Sequence, residues 1–543
     1  MLINSRKNDL KIRSEIKQNK NIASCNMGDR VEISGRGEKP LDITLDIDGK
    51  KIRKTITGYR SDRNLILNIK HTNDAHGTMP FMANLIRPEE FWVDAGDAWQ
   101  DFTFSSVLSG GRKEADMMNL RDCDIAIPGN HFYDDRGTEG AGQLVERSRF
   151  PYISANTKGM TPSVMAEVEG VKIAFIGLRT TEKDLMSVNP GLVKDLQITD
   201  PVESLRKAVE EAKTKGADNI IVLSHLGLEP SKEHPDIVSD KDIAAKIPGI
   251  DLIIGGHTHT PTVDKVEVNG TRIVQAGIES HGNYQEDKVY VGEVSINIDK
   301  SSKKIEAIEH RLISAGRETS LDDDIKEIND KYLMEEQRVL CEKLGIAAGE
   351  FTHDFKVTED STLGNFLADV MRKHTGADVS VVESNMFSNR GKNKGPFLIP
   401  QGEVDMKDVT EISPWMKLLD TNIETWPVKG KDIKNLLEDG VRKLLDARSD
   451  VGLFQISGMK MVYNPELPEG ERVTEIIIGN EPYNPEKTYS FTSTFNVGNW
   501  NKVFAGRDNN TIKDGERLRL VVADSIRKEK TLEPVKDGRI KRK

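Results

Sequence analysis

The chain has 543 residues, of which 36% are hydrophobic and 30% are charged, a composition typical of folded globular proteins with two or three domains. Its formal net charge of −11 argues against a broad surface for nucleic acid polymers or anionic membranes. The three cysteines lie far apart, which predicts neither a disulfide framework nor a Cys-x-x-Cys metal site and is compatible with a reducing compartment.

Residues 1–64 are predicted to form an N-terminal extension with one β-hairpin. Hydrophobic residues alternate from Leu41 to Ile47, Asp48-Gly49 is a typical hairpin turn, and a second strand follows. We expect this hairpin to dock onto the main domain. Residues 1–21 lack the apolar run of a signal peptide, and no later run is long enough to span a bilayer, so we expect a cytoplasmic protein.

Five short apolar runs between residues 65 and 313 each end in polar residues that can bind metal ions. The runs begin at Leu65, Phe91, Ile125, Ile220 and Leu252. Each has the length and composition of a buried strand, and amphipathic helical stretches such as 204–213 lie between them, which predicts an α/β domain. Because loops at the carboxyl ends of such strands converge on one crevice, we expect the polar residues to meet there.

These polar residues form a ligand set for two divalent cations. The predicted ligands are Asp74, His76, Asp97, Asn130, His225, His257 and His259. Two cations about 3.5–4 Å apart need a bridging carboxylate, predicted to be Asp97, and neutral imidazole or amide ligands to complete each shell. Five of the 11 histidines fall in these loops, which core packing does not explain. Such a nitrogen and oxygen set accepts Zn, Mn, Co or Fe, so the sequence predicts a two-metal hydrolytic centre.

The second half of the chain is predicted to hold a linker and a further domain. Residues 314–345 are assigned to a linker helix, because the charged stretch within them has sparse apolar positions and no interrupting Gly or Pro over most of its length. Residues 346–532 form a second α/β segment. Residues 533–543 are predicted to be a short basic tail with a frayed, solvated end.

Taken in order, the motifs Asp-x-His, Gly-Asp, Gly-Asn-His, Ser-His-Leu-Gly and Gly-His-x-His resemble the signature of the calcineurin-like metallophosphoesterases. The first motif occurs as His-Thr-Asn-Asp-x-His-Gly, which resembles the 5′-nucleotidase / UDP-sugar hydrolase family specifically. The stretches 361–369, 401–415 and 454–458 also resemble that family. The resemblance implies a calcineurin-like metallophosphoesterase β-sandwich flanked by helices, followed by a substrate-binding α/β domain of the 5′-nucleotidase C-terminal type.

The same resemblance makes His131 and Asp134 a catalytic dyad, in which Asp134 keeps His131 oriented and protonated. Phe132 and Tyr133 follow the histidine, where the family usually has Glu, but the spacing of the dyad is kept. The implied reaction is attack of a metal-bound hydroxide on phosphorus, with no covalent enzyme intermediate. We therefore expect a 5′-nucleotidase-like hydrolase that releases phosphate from nucleotides.

By resemblance, the substrate-binding side chains of the second domain are Asn385, Arg390, Trp415, Lys417 and Phe495. Trp415 and Phe495 stand where the family's two aromatic rings enclose the base, and stacking is worth about 1–3 kcal/mol per base. Both could instead be core aromatic residues. The loop from Asn385 to Arg390 lacks the family's glycines, and Lys417 replaces an Asn, so Lys417 and Arg390 favour an additional phosphate or another anion.

Three alternative functions stay open from the sequence. The protein could be a 2′,3′-cyclic-nucleotide phosphodiesterase or a nucleotide-sugar pyrophosphatase. It could also be a catalytically silent binding protein on the same fold, although the intact ligand set and dyad argue against this reading. The expected partner is a small-molecule phosphoester, with neither a nucleic acid polymer nor a membrane, and the sequence does not fix an oligomeric state.

Overall fold

A computed structural model describes residues 39–543 of the chain except for the following segments: 100–102, 135–136, 182–192, 231–236, 280–287, 315, 317–318, 355, 388–396, 413–420, 448–451, 495–496, 498–501 and 505–512. Within the described residues, none of the helices combines the length and the apolar character needed to cross a membrane.

Fourteen strands of the first part of the chain belong to one sheet. They are β1 (Lys39–Ile47), β2 (Lys50–Arg60), β3 (Asn64–Thr72), β4 (Phe91–Asp94), β5 (Ile125–Ala126), β6 (Ser163–Val168), β7 (Val171–Arg179), β8 (Asn219–His225), β9 (Leu252–Gly255), β10 (Val266–Val268), β11 (Thr271–Gln275), β12 (Gly277–Glu279), β13 (Lys288–Asp299) and β14 (Lys304–Ser314). The sheet path runs β10-β11-β9-β8-β7-β6-β1-β2-β3-β13-β12, with β4 and β5 continuing from β3 and β14 pairing with β13.

This sheet folds over into two layers that share one apolar core. Alternate side chains of β3, β4 and β5 pack against those of β7, β8 and β9, although these two sets of strands are not neighbours in the sheet. The rings of Phe91 and Phe175, one from each layer, lie 5.4 Å apart between centroids. The predicted β-sandwich is therefore confirmed.

Strands within each layer run parallel beside the site. β3 pairs with β4 and β4 with β5, whereas β7 pairs with β8 and β8 with β9, all in parallel. The five apolar runs that the sequence indicated are β3, β4, β5, β8 and β9. Because parallel strands end at the same edge, the residues that follow them are brought to one place.

Helices cover the outer faces of both layers. In this part of the chain they are α1 (Met79–Ala83), α2 (Phe104–Ser109), α3 (Arg112–Leu120), α4 (Gly137–Arg147), α5 (Pro201–Thr214) and α6 (Asp240–Lys246). α1 and α3 pack with Trp92 on the outside of the β4 layer, and α5 and α6 pack with Ile220 and Ile253 on the other. Helix α5 begins at Pro201 after the Asp200 side chain caps it, which is favourable at a helix N-terminus.

The hairpin of residues 39–60 is a central part of the sheet. β1 pairs with β6 and β2 pairs with β3, so the hairpin joins the two layers. Its turn residues Asp48 and Gly49 have φ values of 49° and 87°, as a two-residue hairpin turn of this hand requires. The segment predicted as an extension thus contributes central strands from Lys39 onward, while the domain boundaries themselves stay predictions.

Helix α7 (Asp323–Leu340) contacts both parts of the chain. Its Ile325 packs in the outer core of the first part beside Trp92, and its Leu340 packs against Phe104 and Val107 of α2. Next to Leu340, Val339 also contacts the core of the second part. The helix lies within the stretch 314–345 that was predicted as a linker, and it is shorter than that stretch.

The second part of the chain has mixed sheets and helices. Its helices are α8 (Thr362–Thr375), α9 (Met406–Glu411), α10 (Gly430–Leu445) and α11 (Leu518–Glu529). Its strands are β15 (Lys343–Ala347), β16 (Phe351–His353), β17 (Val379–Val382), β18 (Phe397–Ile399), β19 (Gly402–Asp405), β20 (Asn422–Lys429), β21 (Gln455–Ser457), β22 (Met459–Tyr463), β23 (Val473–Ile478), β24 (Glu481–Pro482), β25 (Thr488–Thr494), β26 (Lys513–Arg517), β27 (Thr531–Leu532) and β28 (Ile540–Arg542). The central sheet has the order β21-β17-β25-β20-β26.

The C-terminal residues are held in place, so the expectation of a frayed tail is wrong. β28 pairs in parallel with β22. The buried Arg539 guanidinium donates to Asp369 at 2.7 Å, to Asp537 at 2.8 Å and to the carbonyl of Ile456 at 3.0 Å. The run of charges in the sequence does not reveal that several acceptors hold Arg539.

Replacement of Gly292 by Ala should destabilise the sheet that carries the site. Gly292 of β13 faces His71 of β3, and a Cβ there would lie 1.9 Å from Nε2 of the fully buried His71. We expect a loss of about 1–3 kcal/mol in the free energy of unfolding, measured by chemical denaturation. Gly142→Ala in α4 is the control, because a Cβ there meets nothing within 4 Å and the change should be neutral or stabilising. Equal effects of the two substitutions would contradict this packing.

Candidate metal centre and catalytic dyad

The loops after β3, β4 and β9 are bonded directly to one another. The amide of Asp74 donates to the carbonyl of Gly96 at 2.9 Å, and the amide of His76 donates to that of Asp97 at 3.1 Å. The amide of His257 donates to Oδ2 of Asp74 at 2.8 Å. Backbone hydrogen bonds therefore join the loops after β3 and β4, and the Asp74 carboxylate joins them to the loop after β9 in the other layer.

Two groups of side chains in this crevice have the geometry of metal ligands. One contains Asp74, His76 and His259, and the other contains Asp74, Asp97 and His225, with the ligand atoms of each group within 4.8 Å of one another. Nε2 of His76 lies 3.0 Å from Nε2 of His259. Nε2 of His225 lies 2.9 Å from Oδ2 of Asp97. Asp74 belongs to both groups, and the bridging role of Asp97 stays a prediction.

Asn130 and His257 lie beside the second group. Oδ1 of Asn130 is 3.2 Å from Nε2 of His225 and 3.0 Å from Nδ1 of His257. The structure therefore brings all seven residues that the sequence singled out as ligands into one crevice, although they come from five separate loops. Most of these side chains are buried, so the crevice is a closed site and not an exposed acidic patch.

The backbone of the ligands is held in an uncommon conformation. Five of the seven have positive φ values between 43° and 85°, namely Asp74, His76, Asp97, His257 and His259. Such a conformation costs a non-glycine residue on the order of 1 kcal/mol or more, and it persists where the surroundings impose it. The Asp97 carboxylate also lies close to the backbone of Gly129, and a Cβ on this residue would be 1.9 Å from Oδ1 of Asp97. The loops are built to direct side chains at one point.

The protonation chemistry of the histidines fits a cation site. Burial, together with the neighbouring His259, lowers the pKa of His76 well below its usual value, which keeps it in the neutral form that binds metal. Burial also lowers the pKa of His225, but Asp97 and Asp74 overcome this and raise it to about 9. The two carboxylates thus attract positive charge to the position where His225 meets Asp97.

Hydrogen bonds behind the ligands fix their orientation. Nδ1 of His225 donates to the carbonyl of Ala95 at 2.7 Å, so once Nε2 loses its proton, its lone pair is directed toward Asp97. A lone pair facing a carboxylate is unfavourable unless a cation or a proton lies between them. Nδ2 of Asn73 donates to Oδ2 of Asp74 at 2.6 Å and orients that carboxylate. The donor set is therefore suited to divalent cations.

The predicted dyad lies next to these ligands. Nδ1 of His131 is 2.6 Å from Oδ2 of Asp134, whose side chain is fully buried. The amide of His131 donates to Oδ1 of Asp97 at 3.0 Å, and its ring lies 5.3 Å from the ring of His76 between centroids. The His131 side chain keeps some exposure, so a substrate at the ligands can reach it.

Two further residues at the site are the last residues of their strands, and neither is among the site residues predicted from the sequence. Arg179 ends β7 beside His225 of β8, is fully buried, and places its guanidinium 4.9 Å from the ring centroid of Tyr133. Asp94 ends β4; burial raises its pKa to about 7, and it accepts hydrogen bonds from Thr72 and Gly96. A charged residue closing an apolar strand is the signal that could have identified both.

The structure does not describe the side chains that the sequence predicts to bind substrate. Arg390, Trp415, Lys417 and Phe495 lie outside the described residues, as does the side chain of Asn385. Their roles stay predictions.

Comparisons with known proteins identify two family domains. Residues 67–261 match the calcineurin-like phosphoesterase family, and residues 343–501 match the 5′-nucleotidase C-terminal domain family. The first match contains all seven candidate ligands and the dyad. Calcineurin-like phosphoesterase domains imply divalent metal ions, in agreement with the ligand groups.

Named relatives cover most of the chain. It is 27% identical over 81% of its length to the trifunctional nucleotide phosphoesterase protein YfkN of Bacillus subtilis. It is 24% identical to the 5′-nucleotidase of Mus musculus, with 88% of this chain and 90% of that protein covered. The chain spans 32% of the length of YfkN and 32% of the length of a second Bacillus subtilis relative, the endonuclease YhcR.

Solved structures share the fold. A putative 5′-nucleotidase from Staphylococcus aureus has a TM-score of 0.63 at 18% identity, with 88% of this chain and 99% of that chain covered. The NAD nucleotidase of Haemophilus influenzae has a TM-score of 0.55 at 20% identity, with the same coverage. Both likenesses concern the two-domain fold alone.

Asp97→Ala should lose bound metal as well as activity. The carboxylate contacts His225 and the amide of His131, and its loss removes an anionic ligand from the second group. We expect fewer than two metal ions per chain by elemental analysis after removal of free metal. Asp116→Ala is the control, because Asp116 pairs with Arg147 away from the ligands and its loss should leave the metal content unchanged. Two retained ions in Asp97→Ala would refute the bridging role.

Proposed function

Since this chain belongs to the calcineurin-like metallophosphoesterases that carry a 5′-nucleotidase C-terminal domain, we propose that it is a two-metal phosphohydrolase that releases phosphate from nucleotides. The observation that carries the proposal is the meeting of seven nitrogen and oxygen ligands beside a histidine–aspartate pair. The two family domains indicate the fold, and the residues of the site support the activity.

The proposed metal ligands divide between two positions. Asp74, His76 and His259 would hold one cation, and Asp97, Asn130, His225 and His257 would hold the other. When bound, two such cations lower the pKa of a water molecule and neutralise the phosphoryl oxygens in an in-line displacement. The metal can be Zn, Mn, Co or Fe, because all of them accept this ligand set.

His131 and Asp134 act on the phosphoryl group or the leaving oxygen. The Asp134 carboxylate accepts a hydrogen bond from Nδ1 of His131, which fixes the ring and stabilises its protonated form. Nε2 on the opposite side of the ring then carries a proton that it can donate toward the oxygen on which charge develops. Burial of Asp134 excludes water from this pair and strengthens the interaction.

The proposed substrate class is a nucleotide. The C-terminal domain match and the names of relatives, a mouse 5′-nucleotidase and a trifunctional nucleotide phosphoesterase, support a nucleotide over other phosphoesters. A nucleotide-sugar pyrophosphatase or a 2′,3′-cyclic-nucleotide phosphodiesterase is the second candidate. The cationic Lys417 and Arg390, where an additional phosphate could bind, favour the pyrophosphatase among these two.

A hydrolysis screen with the full chain tests the proposal. Metal-free protein is supplemented with Mn²⁺ or Zn²⁺ and offered nucleoside mono-, di- and cyclic phosphates, nucleotide sugars and a simple aryl phosphate. We expect metal-dependent release of phosphate from nucleoside 5′-monophosphates that stops when a chelator is added. No release from any compound by protein that holds two ions would favour a silent binding protein instead.

His131→Ala should separate chemistry from metal binding. We expect kcat to fall by roughly 10²–10⁴-fold while the metal content is retained, because the imidazole acts on the reacting group and is not a proposed ligand. Elemental analysis and steady-state kinetics on the same preparation make the comparison. His374→Ala, on an exposed position of α8, is the control and should keep normal turnover. Near-normal turnover in His131→Ala would remove this residue from the mechanism.

A further inference from the structure

Asp240 is a buried carboxylate behind the metal centre to which the mechanism gives no role. It begins α6, and its exposed fraction is zero. Among the described residues, no Lys or Arg forms an ion pair with it; its partners are neutral donors. Burying a carboxylate without a cation costs free energy unless hydrogen bonds to well-placed donors offset it. The position of those donors indicates what the carboxylate does.

The two oxygens of Asp240 reach two different loops of the site. Oγ of Ser224 donates to Oδ1 at 2.5 Å, and Ser224 immediately precedes the ligand His225. Nε2 of Gln275 donates to Oδ2 at 3.1 Å and also to the carbonyl of Gly256 at 3.4 Å, next to the ligand His257. One carboxylate therefore connects the loop of His225 with the loop of His257.

Further hydrogen bonds complete the connection. Oγ1 of Thr258, between the two ligands of its loop, donates to Oε1 of Gln275 at 3.4 Å. The amide of Leu228, which follows the His225 strand, donates to Oγ1 of Thr258 at 3.1 Å. The fit is close, because a Cβ on Gly255 would lie 2.2 Å from Oδ2 of Asp240. Closely packed side chains therefore connect the His225 loop with the His257–His259 loop by hydrogen bonds.

The chemistry of the network requires a carboxylate. Ser224 accepts a hydrogen bond from the amide of Leu226 and can direct its own proton to Asp240. Gln275 uses its oxygen for Thr258 and turns its amide nitrogen toward Asp240. Both partners are therefore donors, and only a group with two acceptor oxygens satisfies both. An amide in place of the carboxylate would set a donor against one of them.

We propose that Asp240 is a positioning residue that holds the His225 loop and the His257–His259 loop at the spacing that binds metal. This inference rests on the proposed function, because it assumes that these histidines are ligands. Residues behind metal ligands commonly set the affinity of a site, and their loss weakens metal binding by about 10–100-fold. Among the described residues, no hydrogen bond joins Asp240 to a proposed ligand side chain, and Asp240 acts through Ser224 and Gln275.

Titration of Mn²⁺ into the metal-free full chain tests the inference, with bound and free Mn²⁺ distinguished by electron paramagnetic resonance. Asp240→Asn should weaken the binding of at least one ion by about 10–100-fold. Asp124→Asn is the matched control: Asp124 is also buried, pairs with Lys54 and accepts from the amide of Trp92 at the opposite end of β4. It should lower the Tm at least as much and leave Mn²⁺ affinity unchanged.

A charge-conserving double variant distinguishes hydrogen-bond geometry from electrostatics. In Asp240→Asn with Gln275→Glu, the new amide can donate to the new carboxylate, and the formal charge is that of the wild type. We expect this variant to recover much of the affinity that Asp240→Asn loses. Ser224→Ala, which removes one donor and keeps the carboxylate, should weaken Mn²⁺ binding in the same direction and decides the matter if Asp240→Asn does not fold.

Wild-type Mn²⁺ affinity in Asp240→Asn or in Ser224→Ala would overturn the positioning role, as would an equal loss of affinity in Asp124→Asn. A wild-type chain that binds fewer than two ions would instead overturn the proposed two-metal function. The same titrations therefore distinguish a failure of the positioning role from a failure of the two-metal function.

Discussion

Two buried carboxylates, Asp74 and Asp97, meet the histidine and asparagine ligands where strands from both layers of one sheet end. So many lone pairs in a closed crevice repel one another, and the cost of burying the carboxylates is large unless positive charge is present. A pair of divalent cations would resolve both conflicts. The meeting of these side chains requires a left-handed backbone at five candidate ligands. It also requires a residue without a side chain at position 129, which is Gly129.

The same constraint explains how an acidic protein can act on an anionic substrate. The formal net charge of −11 offers no general attraction for phosphate, so positive charge has to be local. Metal ions bound by mostly neutral ligands would provide it, with His131 and the buried Arg179 nearby. The chemistry therefore depends on the arrangement of the strand ends, and the many other residues of the sheet serve to keep those ends in register.

Local patterns predict the strands and the convergence of the candidate ligands at their ends, because a buried strand followed by Asp, Asn or His is a signal contained in a few residues. Non-local pairing left no such signal. The hairpin of residues 39–60 was recognised as a hairpin, but its place between β6 and β3 depends on strands far along the chain. Likewise, Arg539 is fixed by Asp369, 170 residues away, and Asp240 is connected to Ser224 and Gln275 by the fold alone. The side chains predicted to bind substrate lie outside the described residues, so the proposed nucleotide specificity rests on family resemblance.

Anomalous X-ray diffraction from crystals of the full chain grown with Mn²⁺ tests the central claim most directly. The account predicts two peaks about 3.5–4 Å apart, with Asp74 or Asp97 between them and the four histidines around them. A single peak, or peaks that these side chains do not contact, would contradict a paired metal centre.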